Sequence, residues 1–316
     1  MSILERLEKL AFGLLLIILP WQLKNVLFPY EIEGRFVEFR SVSLYGSDLL
    51  LLFLLFLFLW GRRVKKEKLV SSSWSLLGFL PGILGILTLT FSPSPLLTWS
   101  FSLHFLLAGI LFFYLLERRP PLAELFLPLF IGITIQLGVS LIQFFSGHSA
   151  GLFFLDESKL DVQSRDNVVV DFLGERRLRA YGLTSHPNLL GAWAALASFL
   201  LVLGSNSFWG SVLGIFLGLI LSLLTFSKVA LFILILSFLF LWGLRARERW
   251  WWLLILFSGF LLLFPGWQSR FDFSIPKEAR SWEERIAGNK EALSIIRDTL
   301  PKGVGGGGYV VALEKR

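Results

Sequence analysis

Cysteine is absent from the 316 residues. That excludes disulfides, thiol nucleophiles and cysteine-ligated metals. Histidine occurs only at His104, His148 and His186, and no two of these stand at a ligand spacing. No Asp-x-Asp pair occurs. Charge is also scarce, since Asp, Glu, Lys and Arg make up 17% of the chain, too few for the polar skin of a soluble domain this long. The apolar run in MSILERLEKLAFGLLLIILPW follows mixed charges and precedes no small-residue cleavage site. It is read as a retained membrane anchor, not a signal peptide.

What is present is oil. Hydrophobic residues are 55% of the chain and the mean hydropathy is +0.69, as expected of a chain whose solvent is largely lipid. The net charge of +7 does not form a nucleic-acid groove, because the cations stand in short clusters between apolar runs. A spanning helix needs about 20 mainly apolar residues. Nine segments qualify, at 10–27, 44–60, 74–91, 97–116, 122–145, 187–204, 208–226, 229–244 and 250–265. The expected fold is an all-α integral membrane protein with about nine transmembrane helices and a large outer loop.

With nine spans, three basic clusters share one face: Arg62, Arg63, Lys65, Lys66 and Lys68; Arg118 and Arg119; Arg245, Arg247 and Arg249. The positive-inside rule makes that face cytoplasmic, with the N-terminus inside. Residues 1–265 then form the multi-pass bundle, with an outer loop at 146–186, and 266–316 begin a second large outer segment. The run DNVVVDFLGERRLRAYG predicts a hairpin about Gly174. Ile286, Leu293 and Ile296 stand near helical spacing among charges, predicting an amphipathic helix on the outer membrane face.

The polar residues of interest fall on the outer side. In RLRAYGLTSHPN, Pro187 suits the first turn of a helix and His186 is biased to an extended backbone. Free N–H groups at that helix start attract anions. Arg179, with Arg176 and Arg177 on the adjacent strand, can grip phosphate oxygens in a two-pronged way. The same arginines equally suit lipid headgroups, with His186 a simple cap. Lys228, in LLTFSKVALF, is either a second phosphate contact or a snorkelling cation. The glycines from Gly305 to Gly308 lack a strand–turn–helix setting, so they are read as permitting close backbone approach, to a ligand or to another segment, or as a plain loop. Glu31 and Glu33 have the alternation that could hold a divalent metal, although two glutamates in a loop are usually only solvated.

Three of these stretches, in order, resemble the O-antigen ligase and polymerase family. They are Arg179-x-x-Gly182-x-x-x-His186-Pro187-Asn188; the Phe226-Ser227-Lys228 turn; and Arg285, Ala292, then Pro301-Lys302-Gly303-Val304-Gly305-x-Gly307 and Tyr309. The resemblance implies a helical bundle similar to the multi-helix lipid-carrier glycosyltransferases (GT-C-like). It implies transfer of a glycan from an undecaprenyl-diphosphate carrier to a glycan, lipid or protein acceptor, without metal, cofactor or nucleic acid. By analogy Arg179, Lys228, Arg285 and Arg177 would hold the diphosphate, while Gly182, His186, Pro187, Asn188, Gly303 and Gly305 would shape the site. Lys228 stands where the family usually has Arg. The family's base histidine and last helices have no counterpart before Arg316, so the resemblance implies a chain truncated at its C-terminus or a variant without that base. Three alternatives are a flippase of lipid-linked glycans, with Gln136 and Gln143 as its polar mid-membrane groups; a metal-dependent glycosyltransferase centred on Glu31 and Glu33; and a non-enzymatic membrane scaffold.

The cysteine-free background makes the orientation directly measurable. In intact cells an impermeant maleimide is expected to label Leu173→Cys in the outer loop and to spare Arg119→Cys until the membrane is opened. Labelling of Arg119→Cys from outside would invert the orientation.

Overall fold

The computed structural model describes residues 2–32, 35–66, 73–164, 167–245, 267, 270 and 276–314. The chain is mostly helical (71%) and forms two compact units. Unit 1 comprises Met1–Phe12, Lys24–Arg119 and Ala279–Arg316; unit 2 comprises Gly13–Leu23 and Pro120–Glu278.

Helices occupy most of the expected segments. In chain order they are α1 (Ile3–Ile18), α2 (Gly46–Lys65), α3 (Ser73–Leu87), α4 (Pro95–Arg118), α5 (Leu122–Ser146), α6 (Pro187–Gly204), α7 (Phe208–Thr225), α8 (Lys228–Arg245), α9 (Pro276–Thr299) and α10 (Gly308–Glu314). Among the described residues three two-stranded antiparallel sheets interrupt them: β1 (Lys24–Phe28) with β4 (Val42–Tyr45), β2 (Glu31–Ile32) with β3 (Arg35–Phe36), and the hairpin β5 (Val169–Phe172) with β6 (Glu175–Leu178). The last is the hairpin expected about Gly174.

Among the described residues four helices are long and apolar enough to cross a membrane, namely α4, α5, α6 and α7, in place of the nine spans expected. The chain is therefore a helical, membrane-embedded protein. The differences have physical causes. The segment 10–27 is not one helix: α1 stops at Ile18, just before Pro20, and the chain then turns to pair Lys24 with Tyr45. Helix α2 carries Asp48 in its first turn and Arg62, Arg63 and Lys65 in its last, and α3 has only 15 residues. The segment 250–265 lies outside the described residues. Leu, Phe and Ile side chains are exposed along all the apolar helices, the outward surface that a bilayer covers and water would not tolerate.

In unit 1 the two basic clusters and the N-terminal turn meet at one end. Arg118 Nε donates to Glu8 Oε1 at 3.1 Å, Arg62 pairs with Glu117 at 3.1 Å, and Lys65 pairs with Glu5. The N-terminal ends of α2 and α4 receive the opposite set of segments. There His104 pairs with Asp48 and Arg40 with Glu314 of α10. Two of the three expected basic clusters thus share a face with the N-terminus, and Arg247 and Arg249 of the third lie outside the described residues.

Helices α3 and α4 pack closely along their length. Cβ atoms added at Gly78, Gly82 and Gly85 would come within 2.6 Å of Phe112, 2.6 Å of Leu106 and 2.3 Å of Ser102. Small residues let two backbones approach where lipid supplies no hydrophobic drive between helices. Gly82→Leu is expected to destabilise unit 1 by about 1–3 kcal/mol through overpacking. Gly61→Ala in α2, with nothing within 4 Å, serves as the matched control. Thermal unfolding in detergent should lower the midpoint of the first variant and leave the second at or above wild type.

Candidate functional site

The site lies in unit 2, where the loop before α6 meets the turn between α7 and α8. Hairpin β5–β6 delivers the chain to Arg179, whose N–H donates to Val168 O at 3.0 Å. The next N–H, of Ala180, donates to Leu224 O at 2.9 Å near the end of α7. Arg179 is 3% exposed. Its Nε donates to Thr225 O at 2.6 Å and its Nη2 to Asn188 Oδ1 at 2.8 Å. One guanidinium thus ties the last carbonyl of α7, 46 residues on from the arginine, to the first turn of α6. A planar fork suits two acceptors at a fixed angle, which an ammonium does not.

Two helices begin at this spot. His186 is the N-cap of α6, extended at φ −156°, and its Nδ1 accepts from Asn188 N at 3.1 Å. Pro187 follows at the first helical position, where no donor is lost. Ser227 begins α8 in the same way, its Oγ accepting from Ala230 N at 3.3 Å. Gly191 allows the contact, since a Cβ there would lie 2.7 Å from Ala230 and 2.8 Å from Thr225 Oγ1. Neither helix has an acidic residue in its first turn. Lys228 stands at the first position of α8, half-buried beside the start of α6.

The turn itself is closely packed. Phe226 adopts the left-handed conformation, φ 48°, and is fully buried. Its ring stacks between Phe144 of α5 (6.3 Å, 18°) and Trp267 (5.6 Å, 21°).

Beneath the arginine, two glutamines of α5 hold the backbone of residues 181–183. Gln143 Oε1 accepts from Tyr181 N at 3.1 Å and Gly182 N at 2.8 Å, and its Nε2 donates to Gly182 O at 2.9 Å and Glu157 Oε1 at 2.8 Å. Gln136 Oε1 accepts from Leu183 N at 2.8 Å. Glu157 is buried and also accepts from Ala150 N at 2.6 Å and Leu152 N at 2.7 Å, shaping the outer loop. Gly182 is required here: its φ is +57° and a Cβ would fall 2.1 Å from Gln136 Oε1. Burial pushes the Tyr181 hydroxyl pKa up, and that oxygen accepts from Val168 N at 3.0 Å.

The structure therefore gathers Arg179, Gly182, His186, Pro187, Asn188 and Lys228. The other expected residues are engaged elsewhere. Arg177 donates to Phe145 O in the last turn of α5 at 2.9 Å and pairs with Glu175, so it serves a helix C-terminus. Arg285 is an exposed residue of α9 in unit 1. Gly303 and Gly305 also belong to unit 1. Gly303 is exposed, and the run from Gly305 to Gly307 packs on the start of α4, where Thr98 Oγ1 donates to Gly306 O at 2.9 Å. That run approaches another segment of the chain, one of the roles expected of it. Glu31 is exposed on β2 and Glu33 lies outside the described residues. Among the described residues no group of three His, Asp or Glu side chains is placed to hold a metal. Gln143 and Glu157 were missed as loop organisers; the available signal was two glutamines seven apart on one face of an otherwise apolar helix.

Comparison with known proteins returns no match among family models, curated proteins or solved structures.

His186→Ala is expected to cost about 1 kcal/mol through loss of the cap, and His186→Asn to restore it, because Asn is a strong N-cap. Thermal midpoints in detergent check both. A loss with Asn as large as with Ala would assign the imidazole a role other than capping.

Proposed function

We propose that this chain binds a polyprenyl-diphosphate-linked glycan at the outer face of the cytoplasmic membrane and transfers the glycan to an acceptor hydroxyl, in the manner of O-antigen ligases and polymerases. The N-terminus is cytoplasmic in this reading and the Arg179 site faces outward. The observation that carries it is the convergence of two helix starts, free of first-turn carboxylates, with Arg179 and Lys228 beside them. Such a place favours an anion of high charge density held at the membrane boundary.

The chemistry follows from charge. As the acceptor oxygen attacks the anomeric carbon, the bond from that carbon to the phosphate oxygen breaks. The electron pair leaves with the diphosphate, and the acceptor proton passes to a base. Attack opposite the leaving group inverts the sugar centre. Fixed positive charge stabilises the extra charge that develops on the departing diphosphate more than the charge already present on the bound donor, which lowers the barrier. Arg179 is the positioning residue that fixes both helix starts, and Lys228 is the contact at the site's edge. The bonding of Gln136 and Gln143 to the backbone of 181–183 favours this reading over transport, because the polar groups within α5 serve the loop.

The test is binding of undecaprenyl diphosphate to the full chain in nanodiscs. Lys228→Ala is expected to weaken binding about tenfold, the loss of one charge-assisted bond. Lys228→Arg is expected to hold or improve it. Equal affinity in wild type and Lys228→Ala would overturn the proposal, and transfer of labelled glycan from the same carrier tests the reaction.

A further inference from the structure

Helix α9 has three faces. Ile295, 2% exposed, and Gly288, whose carbonyl accepts from Tyr309 Oη at 3.2 Å, seat it on unit 1. A second face is apolar and outward: Ile286, Leu293 and Ile296, continued by Leu300 and joined by Trp282, are 41% to 67% exposed. At 3.6 residues per turn these five fall within an arc of about 80°. The third face is polar, with Glu284, Glu291 and Asp298 opposite the apolar stripe and Arg280 among them.

The charges are sorted about the stripe. Arg285 lies along one edge, and Lys290 and Arg297 along the other, with Glu283 just beyond Lys290. Cations at the apolar boundary and most carboxylates on the far side form the pattern of a helix lying in a membrane interface, where Lys and Arg stems cover apolar surface and their heads meet lipid phosphates. A protein partner would not require this sorting.

The end of the helix is also at the right place. Just beyond α9, Lys302 lies over the Phe91 ring at 5.0 Å. Gly306 O accepts from Thr98 Oγ1 in the first turn of α4, a helix of spanning length. The C-terminal end of α9 is therefore held within a few residues of the point where a spanning helix begins. We infer that the Ile286–Leu293–Ile296–Leu300 face of α9 docks on the surface of an anionic lipid leaflet. The inference rests on membrane embedding alone and is independent of what Lys228 binds.

The test uses the full chain in nanodiscs containing phosphatidylglycerol. Spin labels are placed singly at Leu293→Cys, Ile296→Cys, Glu284→Cys and Glu291→Cys. Labels at Leu293→Cys and Ile296→Cys should be reached by oxygen and shielded from a water-soluble nickel complex, with the reverse at the two glutamate positions. In a background of Arg297→Gln, or with phosphatidylcholine alone, the docked-to-undocked ratio should fall, by about fivefold for the one cation removed. Equal exposure to nickel at all four positions would overturn the inference. So would exclusion of both reagents at Leu293→Cys and Ile296→Cys, the result expected if a protein or second copy covers the face.

Discussion

One guanidinium holds the described part of unit 2 in register. Arg179 bonds the terminal carbonyl of α7 and the side chain that opens α6, while its backbone N–H pairs with Val168. A helix end leaves carbonyls without intrahelical partners, and in an apolar surround each must find a donor. The arginine supplies one from a buried position. Bringing a cation there costs several kcal/mol unless its donors are used, so the geometry around it is over-determined. Thr225, Asn188 and the hairpin are consequently parts of one arrangement, and so is the placement of both helix starts.

A related constraint governs residues 181–183. This stretch is neither helix nor strand, yet it is buried. Its N–H groups are met by side chains of α5: Gln143 takes two and Gln136 the third. The bare Cα of Gly182 lets this stretch lie against Gln136, and Glu157 ties Gln143 to the loop above. Gln136 and Gln143 of α5 thus serve backbone that has nowhere else to bond.

Local signals were legible in the sequence and distant ones were not. Pro187 after an extended His186 marks the start of α6 to the residue, and the hairpin about Gly174 follows from its turn and flanking β-branched residues. The co-facial basic clusters follow from loop charge. The first apolar run misled because hydropathy does not register that Pro20 ends the helix and that Lys24–Phe28 finds a strand partner in Val42–Tyr45. No local pattern announced that Arg179 reaches Thr225, that Arg177 turns instead to the end of α5, or that the glycine run lies on α4. Those are pairings across long stretches of chain, fixed only once helices pack.

The stacked rings about Phe226 bear on how the α7–α8 turn can respond to an occupant. A left-handed phenylalanine is strained by itself and persists because Phe144 and Trp267 sandwich it. Displacing the turn would separate rings from α5 and from the segment after α8 at once. Removing either neighbouring ring, Phe144 or Trp267, would therefore leave the left-handed turn without part of the packing that offsets its strain.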